Sequence, residues 1–528
     1  MRLVRERRRA ENGPAMNSFA VGKITPLLVG FTGLFLALVL GLYIGSSDYR
    51  PILLGVPAAV GLFLWFGTGQ WFWPITLASS YLGGTFPILG GSFTPFQILI
   101  AIGVGKFMVE DVVMRRVSFP KMDRSLLLAL AGFMIIMTGH GVLDRFGMRF
   151  LGSHVWGGRN YVNVYVGLIA FFVVQTVRVD PRIWNKLPYL ALAVTSFDVA
   201  IATVTTIFPA LIYKIYPFYS AVGPAGISEL LTGHESLGER IGAFGNFGYI
   251  LIAIILASVP IWRLLTPGNL RRMFLSVLAA VSVVSSGFRS SIANFVFTLF
   301  VAGYRDLRLG VLTVVPILAA ILFALSAINS AVIPLPKQMQ RALVFLPGNW
   351  DADMVRDASA SNDFRAQVWT LWWKDVFPKQ PLVGRGFGFK SSWADPTLNR
   401  PGAPDYYQQM VEVGNIHNGL FASLDAVGII GTLFFVAWNV ILLRRTVHVS
   451  FDRENPAGFA LRFVALQLAV PILAFWLGAV TLGTFLPGQF AMAGLFLRLQ
   501  RLSVPKPASP ITPSQPPLSQ RRRTVAPV

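Results

Sequence analysis

An all-α polytopic integral membrane protein is the fold class that the sequence predicts, and three observations predict it. Of 528 residues, 54% are hydrophobic and only 13% are charged, about half the charged share of a soluble globular domain. Apolar runs near the roughly 20 residues needed to span a bilayer recur from Pro26 almost to Leu499. Lys and Arg gather in every even-numbered connection between those runs from the fourth onward, the pattern of cytoplasmic loops. That sorting also accounts for the net charge of +21, which in a soluble chain would point to nucleic acid. No nucleic-acid partner is expected. The absence of cysteine excludes disulfides, thiolate metal sites and cysteine nucleophiles.

About 12–14 transmembrane helices are expected, near 26–45, 51–68, 71–90, 95–110, 125–142, 161–178, 187–212, 244–264, 272–287, 290–304, 310–330, 421–443, 461–480 and 484–499. Gly83, Gly84 and Pro87 interrupt the span at 71–90, and Pro487 and Gly488 interrupt the last one, so one of these could be re-entrant. The chain divides into a basic N-terminal tail (1–25), transmembrane helices (26–330), a large loop (331–420), C-terminal transmembrane helices (421–499) and a Pro/Ser-rich tail (500–528) that reads as disordered. Arg5, Arg7, Arg8 and Arg9 set the N-terminus in the cytoplasm. Arg115, Arg116, Arg178, Arg182, Arg263, Arg271, Arg305, Arg444, Arg445 and the C-terminal Arg521 agree with that side. The loop 331–420 then falls on the outer, periplasmic side of the membrane.

Residues that carry chemistry collect at the outer ends of spans. The run 272–304 is apolar for 33 residues, ~50 Å as one helix against a hydrocarbon core of about 30 Å. A break near Gly287 resolves the excess and puts Arg289 at the outer interface, among Ser285, Ser286, Ser290 and Ser291. An arginine there is a candidate ligand for a substrate, and the plainer alternative is a side chain snorkelling to headgroups. In GERIGAFGNFGY (238–249), Arg240 lies at the rim and Asn246 about two turns deeper. The plainer alternative there is a helix-end anchor with small residues for close packing.

Within the large loop, DFRAQVWTLWWKDVF places Phe364, Val368, Trp372 and Val376 on one helical face, the pattern of an interfacial helix with Arg365 on its first turn. PLVGRGFGF follows, with Gly384 and Gly386. It is not a P-loop or Rossmann turn, because no strand precedes it and no Lys-Ser/Thr follows. Its backbone N–H groups could still meet an anion. His417, between Asn415 and Asn418, stands at the mouth of the next span. His140, His154, His234 and His448 have no such company and read as structural. Asp351 and Asp353 form a DAD pattern that the expected topology puts on the wrong side for a nucleotide-sugar metal site. No metal and no cofactor are expected.

Arginines at this depth suit phosphate through a planar, permanently charged fork. They would offset the charge that develops as a pyrophosphate departs from a lipid carrier, and His417 would take the proton of an incoming sugar hydroxyl. The ordered set GERIGAFGNFGY, SSGFRSS, FRAQVW…PLVGRGFGF and IHNGLFASLDAVGIIG, across residues 236–443, resembles the O-antigen ligase and O-antigen polymerase superfamily of bacterial membranes. The resemblance implies an integral-membrane glycosyltransferase fold in the bacterial cytoplasmic (inner) membrane. The implied donor is an undecaprenyl-pyrophosphate-linked glycan, and the implied acceptor a glycan or lipid A-core. It assigns the two essential arginines to Arg289 and Arg365, the histidine to His417, and a further basic position to Arg240. Asn246, Gly384, Gly386 and Asn418 complete the expected substrate-binding set. The sequence departs from the family in carrying Gly287-Phe288 where a serine is usual next to that arginine. Membrane lipids, a chain-length regulator and export proteins are the further partners admitted. The competing readings are a flippase for lipid-linked glycans and a non-catalytic envelope assembly protein. A flippase should carry charge in its midspan positions, which here are mostly apolar.

Overall fold

The computed structural model describes residues 67–88, 91–109, 122–148, 151–215, 241–264, 266–390, 406–451, 455–478 and 481–502. The spans expected at 26–45 and 51–68 (all but the last two residues of the second) and both terminal tails, apart from residues 500–502, lie outside them. So do Arg240 and His234.

Within these residues the fold is helical. In chain order the main helices are α1 (Phe72–Ala78), α2 (Pro95–Phe107), α3 (Arg124–Leu143), α4 (Gly158–Thr176), α5 (Leu187–Ile207), α6 (Gly242–Ser258), α7 (Leu270–Ser285), α8 (Arg289–Leu307), α9 (Val314–Ala331), α10 (Lys337–Leu343), α11 (Ala352–Leu371), α12 (Tyr406–Glu412), α13 (Gly419–Thr446), α14 (Gly458–Leu477) and α15 (Leu482–Leu502). Two small antiparallel pairs accompany them, β1 (Phe86–Ile88) with β2 (Gly91–Phe93) and β3 (Val155–Trp156) with β4 (Phe389–Lys390).

Among the described residues, 5 helices are long and apolar enough to cross a membrane: Arg124–Leu143, Pro181–Ile207, Arg289–Ala331, Gly419–Thr446 and Gly458–Trp476. Pro95–Phe107 and Gly242–Ser258 are shorter apolar helices. The run Arg289–Ala331 has 43 residues, ~65 Å if straight and so about twice a hydrocarbon core. It is not straight: Arg308, at φ 55 and ψ −124, separates α8 from α9.

The span expected at 71–90 is not a continuous helix. The helix α1 ends after Ala78, a short 3-10 turn covers Ser79–Tyr81, and the hairpin β1–β2 follows. Pro87 sits in β1, where its missing N–H would have cost a helix a hydrogen bond. Thr94 then caps α2, accepting from Gln97 N while its own N–H donates to Gln97 Oε1, a reciprocal box that fixes where the next helix begins.

The core forms where small residues let helices meet closely. A Cβ on Gly167 of α4 would stand 2.6 Å from Pro487 Cα of α15, and one on Gly494 would stand 2.5 Å from Phe171 O. Without a side chain at either position the two backbones approach and fill the interface with direct contacts. The helix α14 is the most enclosed of the five long apolar helices.

Arg178, Arg305, Arg444 and Arg445 lie at the C-terminal ends of α4, α8 and α13. The loop residues 331–390 sit at the opposite ends, where α8 and α13 begin, with Phe387 N donating to Tyr161 Oη near the start of α4. The loop thus caps the ends of α8 and α13 that lie away from Arg305, Arg444 and Arg445.

Candidate active site at the head of α8 and α13

The turn between α7 and α8 is built around Gly287, whose φ of 74 lies in the left-handed region. A side chain there would cost roughly 1–2 kcal/mol. Ser286 is buried and locks the turn: its Oγ donates to Val283 O (2.7 Å) and accepts from Phe288 N (3.2 Å). The expected break falls here, and Arg289 is the first residue of α8.

Arg365 approaches from α11. Both arginines donate to one oxygen, Asn362 Oδ1, at 3.2 Å from Arg289 Nη2 and 3.5 Å from Arg365 Nη1. Two like charges no further apart than those bonds allow repel by roughly 2 kcal/mol or more at an effective dielectric near 20, before solvent screening. Among the described residues neither guanidinium pairs with a carboxylate. Burial and the nearby Arg289 and Arg341 hold Arg365 below its usual value, but arginine starts so high that the charge stays. Among the described residues the two positive charges therefore face each other without a carboxylate between them.

Arg341 of α10, 7% exposed, underlies the pair. Its Nη1 donates to Gly287 O (3.0 Å), and its Nε forms an ion pair with Asp357 Oδ2 on α11. The sequence reading missed Arg341 and Asn362. Asn362 could have been noticed, three residues before Arg365 on the same helical face.

His417 precedes α13. Asn418 caps that helix, its Oδ1 accepting from Phe421 N at 3.1 Å. Trp369 Nε1 donates to Ile416 O (2.7 Å), which ties the turn to α11. His417 has φ 52, a left-handed conformation in which His is enriched among non-glycine residues. Its ring meets Phe364 edge-on at 5.6 Å. Burial first, and the positive charge of Arg365 second, push its imidazole below the ordinary value, so the neutral form is favoured.

The Gly-rich segment takes a different part from the one the sequence suggested. Gly384 N and Gly386 N donate to Gln380 O (3.0 Å) and Ala426 O (3.1 Å), so those N–H groups already have protein acceptors. Both glycines have positive φ, and a Cβ on Gly384 would lie 2.6 Å from Gly428 N. The segment packs against α13, where Gly428, at φ 63 and ψ −170, opens the helix. Ile429 N and Ile430 N donate across the gap to Pro381 O (2.9 Å) and Leu382 O (3.0 Å). Missing hydrogen bonds of the broken helix are thus supplied by the loop.

The helix expected to lie on the lipid surface has its apolar face covered by protein instead. Val368 and Trp372 are fully buried against Val411 and Ile416, and Trp372 stacks on Phe421 at 4.8 Å. Of the other expected residues, Asn246 is exposed near the start of α6, off the face where Gly245 and Gly248 meet α8 and α7. Asp351 caps α11, accepting from Asp353 N at 2.8 Å. His140 bonds to Val383 O at 2.7 Å.

Arg289, Arg365 and His417 therefore share one site at the loop-capped face. Residues 274–436 match the family model described as O-antigen ligase. No curated protein matches the chain.

Proposed function

We propose, from the match of residues 274–436 to the O-antigen ligase family model, that this membrane protein transfers a glycan from an undecaprenyl-pyrophosphate carrier to an acceptor hydroxyl. Transfer takes place on the outer face of the cytoplasmic membrane, with both termini in the cytoplasm. The observation that carries the reading is the pair Arg289–Arg365 on one amide oxygen, free of carboxylates among the described residues, beside His417. A pyrophosphate in place of Asn362 Oδ1 would turn the repulsion of the two guanidiniums into attraction.

The step balances without a cofactor. The acceptor oxygen attacks the anomeric carbon of the donor sugar, and the bond from that carbon to the pyrophosphate oxygen breaks. The electron pair leaves with the lipid pyrophosphate, whose growing charge meets Arg289 and Arg365. Neutral His417 takes the hydroxyl proton. Polymerisation and ligation share this step and differ in whether the acceptor is another lipid-linked glycan or a lipid A-core. The reading needs no metal.

A direct test supplies purified protein with the lipid-pyrophosphate glycan and follows where the label goes. Glycan moved to an acceptor, with free lipid pyrophosphate released, supports the reading. Lipid-linked glycan crossing vesicles unchanged would contradict it and favour transport.

A further inference from the structure

We propose that Arg341 is the positioning residue that sets the spacing of Arg289 and Arg365. The inference rests on the reading of that pair as the pyrophosphate site. One side of the Arg341 guanidinium holds the carbonyl of Gly287, two residues before Arg289. Another holds the carboxylate of Asp357, two turns before Arg365 on the same helix. The side chain is nearly enclosed, with 8% of it exposed, so it has no room to bind substrate itself.

The same short helix grips α11 a second time: Gln340 Oε1 accepts from Asp351 N at 2.9 Å, at the N-cap of α11. The helix α10 is thus a bracket between the α7–α8 turn and α11. Across that junction the active arginines themselves share only the long, exposed bonds to Asn362. A rigid fork suits the bracket, because its donors point in two directions at once. A lysine keeps the charge but offers a single nitrogen on a flexible stem. The bracket works against repulsion: without it, Arg289 and Arg365 would relax apart, and a two-point grip on pyrophosphate would loosen. Displacements near 1 Å in such sites cost on the order of 100-fold in rate.

The test compares full-length wild type, Arg341→Lys, Asp357→Asn and the double variant, purified in detergent. Three properties are measured: thermal unfolding, calorimetric affinity for inorganic pyrophosphate, and kcat and KM for glycan transfer. Arg289→Ala serves as the binding-deficient control. Each single variant is expected to fold but to unfold at a lower temperature, because the enclosed Arg341–Asp357 pair is weakened, so affinity and rate are compared per folded molecule. Each should bind pyrophosphate about 10-fold more weakly and lose roughly 10- to 100-fold in kcat/KM. The double variant should be no worse than the poorer single, since both act on one bracket. Wild-type affinity and transfer in Arg341→Lys and Asp357→Asn would overturn the inference. So would a lowered unfolding temperature with unchanged activity per folded molecule, the mark of a merely structural residue. Wild type that neither binds pyrophosphate nor transfers glycan would overturn the reading of the site and the inference with it.

Discussion

Arg385 holds Asp425 by both side chain and backbone: its Nε and Nη2 donate to the two carboxylate oxygens at 2.9 and 3.0 Å, and its own N–H donates to the Asp425 carbonyl at 2.8 Å. The same guanidinium reaches Glu412 at 3.4 Å, and Trp372 Nε1 adds a bond to Asp425 Oδ1 at 2.8 Å. One buried pair thus joins the Gly-rich loop, the turn just after α11, and the helices α12 and α13 two turns below His417. Removing one partner strands the other, at a cost of about 3–5 kcal/mol. Arg385→Met should lower the unfolding temperature sharply, and Arg385→Met with Asp425→Leu should lower it less than Arg385→Met alone. A double variant as unstable as the sum of its singles would refute this role.

Asn362 gives a cleaner test of what its oxygen stands for. Asn362→Asp puts a carboxylate between Arg289 and Arg365 and occupies the charge meant for substrate. Stability should hold or rise slightly, while transfer falls at least ~10-fold, as expected for losing electrostatic stabilisation at a reacting centre. Undiminished transfer by Asn362→Asp would show that the anion binds elsewhere.

The pH profile follows from His417. Its ring is held below the ordinary imidazole value, so it is neutral at neutral pH and gains a proton only under more acid conditions. Activity of a neutral base is lost as pH falls through that lowered value. The acid limb of kcat/KM should therefore have its midpoint below that of a free imidazole. His417→Asn, which tolerates the left-handed backbone at this position, should fold normally and lack that limb along with most of its activity. A limb unchanged in His417→Asn would assign the proton to another group.

Gly428→Ala should abolish the docked loop. A Cβ there would lie 2.3 Å from the Leu382 carbonyl carbon, and ψ of −170 at positive φ belongs essentially to glycine. Membrane abundance of Gly428→Ala, compared with Gly139→Ala as a helical control whose Cβ would meet open space, reads the effect; equal abundance of Gly428→Ala and wild type would contradict it.

The helical membrane fold and the break before Arg289 were legible because both follow from length. Thirty-three apolar residues (272–304) cannot cross once, and Gly287 supplies the turn. Arg289, Arg365 and His417, which the fold brings together, stood out because each is a polar group at the edge of an apolar run. Burial of the α11 face was not legible, since helical periodicity marks an apolar face without saying whether lipid or protein covers it. Gly384 and Gly386 were misread for a related reason: glycine marks a close backbone approach, and here the approaching group is α13, not an anion. Arg341 stayed hidden because its partners, Gly287 and Asp357, lie 54 and 16 positions away. Only the fold brings them together.

The most direct measurement is the transfer rate of Arg365→Ala against wild type, with lipid-pyrophosphate-linked glycan and equal amounts of folded protein. A site that stabilises departing pyrophosphate with two arginines should lose on the order of 100- to 1,000-fold in rate, with the donor left intact on its carrier. A rate within about twofold of wild type would mean that Arg365 does not face the leaving group, and the pyrophosphate site would have to be sought elsewhere.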